Sequence, residues 1–488
     1  MFPAAPATLR TLPSGELERG YDSDGDGRVD SIEVLGADGR VCALQYDEDG
    51  DGQFELRVPR GRNAAATSGG DGWGAGRHLI LILDSVPYGL VRELWNGGRF
   101  RSFAPPSRVV SPFPVMTDPC LNEFFEVSPG PGVESMYFDG RRLQSGLFNY
   151  LDQENAPWLA LCDYRLPNLL HGEAYTNPEP WFDNELRKTH DRFLGSGATA
   201  YVSYSMGTSA LMMQRGRNGQ LAALVRLDRL CQQLLRETRG EAEITLLSDH
   251  GHNSTPSRRL PLDEHLRRMG YRVRNRLDGP DDVVVPQWGL VTCAAIHTRS
   301  PAAVARDVAL LTGVELTCYR DEARGIVVLA HDADALIRHE PGRWRYEPTR
   351  GDPLRLSPIV QALRDLGRLD AAGFASDRDW WEATVDHTYP DPLRRLWRAA
   401  HDLFEHPPDV FVSLADGWYC GSKDFEAMMA AAATHGSLRA DSSSAFVMST
   451  AGELPLVLQM DELAARLREL GVPIPRARER AGTVSETP

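Results

Sequence analysis

Three short apolar runs in this chain sit next to residues that bind metals or move protons. His78-Leu-Ile-Leu-Ile-Leu83 ends abruptly in Asp84-Ser85. Ile244-Thr-Leu-Leu247 leads into Ser248-Asp249-His250-Gly251, and Ala433-Thr-His435-Gly436 precedes Ala445-Phe-Val-Met448. Aspartate oxygens and imidazole nitrogens suit zinc or manganese. A carboxylate at the carboxyl end of a buried strand lies where open α/β sheets bind ligands. Asp84, Asp249, His250 and His435 are therefore candidate ligands of one divalent metal. Between the first two lies Ser111-Pro-Phe-Pro-Val-Met-Thr117-Asp-Pro119-Cys-Leu-Asn122, a turn-prone segment exposing one hydroxyl. Beside a divalent ion the Thr117 hydroxyl would ionise near neutral pH and act as a nucleophile. Each residue has a plainer reading: Asp84 as a cap, Asp249-His250-Gly251 as a turn, Thr117 as the cap of a helix starting at Pro119. His252 and Asn253 thicken the second cluster, whereas His171, His190, His387 and His401 read as ordinary surface or core histidines.

The positioning elements follow from the pattern. A run with no polar alternation, such as 78–83, reads as a strand buried on both faces in a largely parallel sheet. Gln220 to Arg236 places Leu221, Leu224, Val225, Cys231, Leu234 and Leu235 near one helical stripe just before the Ile244 strand. From 261 the pattern changes: Val283-Val-Val reads as a strand, Ser300-Pro301 starts a helix over Ala302 to Leu311 that Gly313 stops, and Gly325 to Ala330 is another strand. Residues 353–406 read as helical and Trp-rich, Val410 to Ser413 as a strand returning to the first sheet, and Asp461 to Leu470 as a last helix ended by Gly471.

Length and charge set bounds. The 488 residues suffice for two or three domains. A net charge of −15 argues against nucleic acid as the main partner but leaves room for a small phosphate ester. The seven cysteines are scattered, without a Cys-x-x-Cys pair, and read as mostly reduced thiols. Neither an export signal nor a run of 18 apolar residues is visible, so the sequence as given reads as cytoplasmic, without a membrane segment.

Residues 21–58 contain a repeat: Tyr21-Asp-Ser-Asp-Gly-Asp-Gly returns as Tyr46-Asp-Glu-Asp-Gly-Asp-Gly. In the first copy Asp22, Asp24, Asp26, Asp30 and Glu33 fit a twelve-residue calcium loop with Gly27 at its turn. The second copy, with Asp47, Asp49, Asp51 and Glu55, has Val58 where the closing glutamate belongs, so it is the weaker of the two. The flanks alternate like strands, which predicts a calcium-stiffened β unit resembling the Asp-x-Asp-Gly-Asp-Gly repeats of bacterial surface proteins. Calcium loops suit the millimolar calcium outside cells, which makes a periplasmic or secreted location the alternative.

Together and in this order, Asp84, Thr117, Leu-Ser-Asp249-His250-Gly and Thr-His435-Gly resemble the alkaline phosphatase superfamily, especially its phosphodiesterase and nucleotide pyrophosphatase branch. The resemblance covers residues 77–260 and 400–460. It implies an α/β fold with a mostly parallel central sheet flanked by helices, and one metal held by Asp84, Thr117, Asp249 and His250, with Asn122 at the substrate. The expected organisation is an N-terminal calcium-loop β unit over 1–62, a linker over 63–76, a core over 77–260 and 400–475, and a small α/β cap insertion over 261–399. Family members supply a further Asp and His, four residues apart, to another metal site shared with the equivalent of His435. Here those positions fall on Ser209 and Met213 in one register and on Tyr204 and Thr208 in another. The first metal site thus reads as degenerate. Two functions compete: a metal-dependent phosphoric ester hydrolase, mono- or diesterase, acting through Thr117, and a degenerate protein that binds a phosphate-containing ligand without turnover. A phosphate-transferring mutase would share the same pocket.

Overall fold

The computed structural model describes residues 6–22, 26–47, 50–60, 76–152, 156–428 and 434–476. A six-stranded sheet carries the first set of apolar runs, in the order Ala200–Ser205, His78–Leu83, Glu243–Ser248, Ser444–Ser449, Ser107–Val110, Val457–Gln459. The first three strands are mutually parallel, Ser444–Ser449 is antiparallel to both of its neighbours, and the last two are parallel to each other.

His78–Leu83 is buried along its whole length because both faces of the sheet are covered. Leu79, Leu81 and Leu83 point into a core shared with the helices Tyr88–Asn96, Pro178–Gly195 and Gly207–Glu237. Ile80 and Ile82 point the other way, into a core with Thr117–Phe124 and Met460–Glu469. That two-sided burial is why the strand lacks polar alternation. The helix read at 220–236 extends back to Gly207 and is interrupted at Gly216, where φ is 62° and ψ −159°.

A second, nine-stranded sheet follows the order Arg272–Val273, Asp282–Val284, Cys293–Thr298, Val410–Leu414, Val314–Asp321, Gly325–Leu329, Asp334–Glu340, Arg343–Arg350, Ala375–Ser376. The strands and helix read at 283–330 occur, with the helix at Pro301–Ala309. Two expectations need correction. Val410–Leu414 does not return to the first sheet but lies between Cys293–Thr298 and Val314–Asp321. Its five residues are all buried, and an apolar run fits the middle of either sheet equally well. The second sheet therefore reaches past the 399 boundary. The hairpin Asp334–Glu340 and Arg343–Arg350 was not anticipated, since its arginines and glutamates dilute the apolar alternation.

The N-terminal unit is a five-stranded antiparallel meander, Thr8–Thr11, Leu17–Tyr21, Ser31–Leu35, Val41–Tyr46 and Leu56–Pro59. Leu35, Val41, Leu44 and Tyr46 join the core on the Leu79 face of the first sheet. The Tyr46 hydroxyl donates to the Leu235 carbonyl at 2.8 Å. Asp24 and Asp49 lie outside the described residues. Glu33, expected to close the first loop, is turned away from it. Its strand pairs Arg19 with Glu33, and the carboxylate is buried against the core, accepting the Tyr21 hydroxyl at 2.8 Å. In the second copy, Asp47, Asp51 and Glu55 bring ligand atoms within 4.8 Å of one another. Among the described residues no helix is long and apolar enough to cross a membrane.

Candidate metal and phosphate site

Asp84, Asp249 and His250 meet at the carboxyl ends of adjacent parallel strands, with ligand atoms within 4.8 Å of one another and all three buried. The antiparallel Ser444–Ser449 strand enters the sheet from this same edge, which brings the segment before it, with His435, to the site. Two glycines make the approach possible. A Cβ at Gly251 would collide with the Asp441 carbonyl, and Gly436, at φ +125°, has the Cys293 sulfur 3.0 Å from where its Cβ would stand.

Hydrogen bonds fix the ligand candidates individually. Asp84 accepts from the Ser85 hydroxyl on Oδ1 at 2.6 Å and from the Tyr204 hydroxyl on Oδ2 at 2.7 Å. Ser85 has a φ of 61°, an uncommon conformation for a side-chain-bearing residue, and from it the backbone N–H donates to Asp249 Oδ1 at 3.0 Å. The His250 N–H also donates to that oxygen, at 2.8 Å. Asp249 Oδ2 is buried, has no well-formed hydrogen bond among the described residues, and lies 3.3 Å from His250 Nε2.

His250 Nδ1 faces the Gly251 carbonyl at 2.9 Å. A carbonyl only accepts, so Nδ1 carries the proton and the neutral ring turns an Nε2 lone pair toward Asp249 Oδ2. Two lone pairs facing each other in a buried site call for a proton or a cation between them. Burial, and after it the Asp84 charge, push the Asp249 carboxyl well above the usual range, while burial lowers the His250 pKa. The Asp249 shift is that of a buried carboxylate beside a second one, and the His250 shift is that of a desolvated ring kept neutral; a divalent ion fits the donor set of two carboxylates and an imidazole.

Thr117 is the first residue of the helix Thr117–Phe124, not the cap of one starting at Pro119; the extended Met116 precedes it. Its Oγ1 lies 3.4 Å from His250 Nε2. The His435 ring stacks on His250 with centroids 4.0 Å apart, and its Nδ1 faces the Val115 carbonyl at 2.9 Å. His252 repeats the arrangement: Nδ1 faces the Asn253 carbonyl at 2.9 Å, its ring is 5.5 Å from that of His435, and its Nε2 is buried without a hydrogen-bond partner among the described residues.

Asn122 is not at the pocket wall. It is buried inside the same helix and its Oδ1 accepts from the Trp158 N–H at 3.4 Å, since at 3.6 residues per turn a residue five positions beyond Thr117 lies about 140° around the helix from it. The positions considered for additional ligands hold none: the Tyr204 hydroxyl is on Asp84, Thr208 Oγ1 donates to the Asp84 carbonyl at 2.7 Å, Ser209 is buried, and Met213 lines the pocket. His171 reaches the same pocket, held between the Tyr150 hydroxyl at 2.5 Å and the Leu166 carbonyl at 3.1 Å.

Sequence reasoning missed Tyr204 as a partner of Asp84, and it missed Arg395. The buried Arg395 guanidinium donates to the carbonyls of Pro390 and Leu438, each at 3.0 Å, and to Pro112 at 3.4 Å and the Ser443 hydroxyl at 2.6 Å. It ties the Thr117 segment to the one that follows His435. No local motif marks either residue, because both act across more than a hundred positions or between loops.

Over the metal candidates opens a cavity of about 400 Å³. Asp84, Thr117 and His435 line it with Tyr150, Trp158, Tyr175, Trp288 and Phe425, and Arg165 adds a cation.

No family model matches the sequence, and no curated protein matches it. Similarity is found among solved structures. Murine ectonucleotide pyrophosphatase/phosphodiesterase 5 superposes with a TM-score of 0.43 at 10% identity, over 82% of this chain and 96% of that one. An inactive form of the murine protein in complex with AMP gives 0.45 at 11% identity, over 81% and 94%. The human protein gives 0.45 at 12% identity, over 82% and 96%. At such identities and scores, the chemistry rests on the site's own geometry.

Proposed function

We propose that this protein is a divalent-metal-dependent hydrolase of phosphoric esters, with Thr117 as its nucleophile. The observation that carries this is the opposed pair of lone pairs on His250 Nε2 and Asp249 Oδ2, closed on one side by Asp84 and on another by the Thr117 hydroxyl. Asp84, Asp249 and His250 would hold zinc or manganese, with Thr117 as a further oxygen ligand and His435 beside them. Such an ion would favour the threonine alkoxide and offset charge on the phosphate oxygens. Thr117 Oγ forms the new bond to phosphorus and gives its proton to water, while the ester oxygen departs from the opposite side and takes up a proton from water, so that the two transfers balance. Water then cleaves the phosphothreonine. The N-terminus of the Thr117–Phe124 helix favours the anion through its dipole, while the aromatic wall holds the departing or retained group and excludes water.

The second reading, binding without turnover, is supported by Tyr204, Thr208, Ser209 and Met213, none of which adds a carboxylate or an imidazole. With one ion the covalent step would proceed and hydrolysis of the adduct would slow. The deciding measurement is metal content by mass spectrometry together with turnover of p-nitrophenyl phosphate and bis-p-nitrophenyl phosphate. Thr117→Ala should lower turnover by at least about a hundredfold, the effect expected of a nucleophile, and abolish any phosphorylated Thr117 peptide. Neither adduct nor turnover with zinc or manganese would leave the binding reading. We further propose calcium in the N-terminal acidic loops, in a structural role.

A further inference from the structure

Beside the Thr117 cavity lies a second cleft, of about 390 Å³. Ser422 lines both, and adjacent residues of two other segments divide between them: Ser135 faces the first and Met136 the second, Trp288 the first and Gln287 the second. The cleft is basic. Arg259, Arg267, Arg274 and Lys423 line it, with Asp263 as the carboxylate among them.

The balance of pairing leaves positive charge over. Arg259 is committed, its Nε on Glu426 at 3.1 Å. Arg267 meets Asp263 at 3.5 Å with its side chain 55% exposed, a geometry in which an ion pair contributes little. Arg274 approaches Asp282 at 3.7 Å, but that carboxylate already accepts Arg272 at 2.7 Å and the N–H groups of Asp278 and Gly279 at 2.8 and 2.6 Å. Lys423 is exposed and has no ion pair among the described residues. On a chain of net charge −15, a concave surface with this surplus runs against the general field and attracts anions locally.

We infer that this cleft binds a second anionic group, a phosphate or a carboxylate, carried by the same substrate whose phosphoric ester lies at Thr117. The inference rests on the hydrolase reading for the ester and on the shared Ser422 wall for the link between the two ends. Arg274 and Lys423 supply the charge that recognises the distal group, and Arg267 reinforces them once the anion competes for it with Asp263.

The test uses two p-nitrophenyl phosphodiesters with the same alkyl chain, one ending in a hydroxyl and one in a phosphate. In the full chain the phosphate-ended ester should show a KM lower by about tenfold, as expected for a charge-assisted contact. Arg274→Glu with Lys423→Glu should remove that advantage while kcat changes little. Equal KM values for the two esters in the unaltered protein, or a variant that weakens both alike, would overturn the inference. Calorimetric binding of the same two compounds to Thr117→Ala protein separates this from the hydrolase reading. A terminal-phosphate preference there, lost in the charge-reversed variant, upholds the cleft even if no ester is ever turned over; no preference overturns it. Free inorganic phosphate that binds at the cleft equally well with the hydroxyl-ended ester present and absent, with no gain for the phosphate-ended one, would assign it to a separate anion and also overturn the link.

Discussion

His250, His252 and His435 share one habit: each faces a backbone carbonyl through Nδ1, which leaves Nε2 as the free donor atom. Histidines that bind metals are commonly oriented in this way, because the bond fixes both the tautomer and the ring. The carboxylate Asp84 is fixed similarly, through the Tyr204 hydroxyl. Tyr204→Phe should therefore weaken metal binding by about ten- to a hundredfold, the usual effect of losing such a support. Metal titration of the variant, with circular dichroism to show an intact fold, measures it, and unchanged affinity would mean that Asp84 needs no such hold. At this scale the sequence was informative where one residue type has few alternative uses. An Asp directly after a fully apolar strand and an Asp-His-Gly turn both led to the site. Glu33 and Asn122 misled because spacing in sequence does not say which side of a strand or helix faces the ligand, and Tyr204 was invisible because its partner lies 120 positions away.

The junction between the strand Ala200–Ser205 and the helix beginning at Gly207 has its own buried acid. Glu185 accepts the Ser205 hydroxyl at 2.6 Å and the N–H groups of Gly207 and Met206 at 2.9 and 3.3 Å. Burial outweighs these bonds and raises its pKa from 4.5 to about 7. Between those values the unfolded chain has released a proton that the folded chain still holds. Stability falls as pH rises through that window, and above it the loss is complete, at about 3 kcal/mol. Glu185→Gln removes the titration. The stability of the variant relative to the parent should thus improve by about that amount from pH 5 to pH 8 in chemical denaturation, and a difference that is flat with pH would refute it. Elements such as this junction were legible as strand and helix but not in their assignment to sheets. Val410–Leu414 is buried at every position, and only its partners decide that it belongs to the second sheet.

Across the whole molecule, the N-terminal meander and the first sheet are joined by a continuous core, since Leu35, Leu44 and Tyr46 pack in the cluster that includes Leu81 and Leu234. Arg60 adds an ion pair to Glu243 at 2.9 Å, beneath the strand that delivers Asp249. The acidic loops lie at the strand connections of this unit. In them the Asp22 carboxylate accepts the Gly27 N–H at 2.9 Å, and that of Asp47 accepts the Gly50 and Gly52 N–H groups, each at 2.8 Å. Calcium bound there would hold the meander and, through the shared core, raise the unfolding temperature of the whole chain by mass action. It would leave turnover unchanged, because among the described residues none of the meander lines the Thr117 cavity. The first loop matched the calcium pattern better in sequence, yet Glu33 is committed to Tyr21, and Asp47, Asp51 and Glu55 cluster in the second. Asp51→Ala with Glu55→Ala should accordingly abolish most of the calcium-dependent rise in Tm, and Asp26→Ala should take the smaller share. Scanning calorimetry with calcium and with chelator, alongside ester turnover, tests both parts. A Tm indifferent to calcium removes the metal from these loops, and a turnover that follows calcium would mean that the meander reaches the site by a route its packing does not suggest.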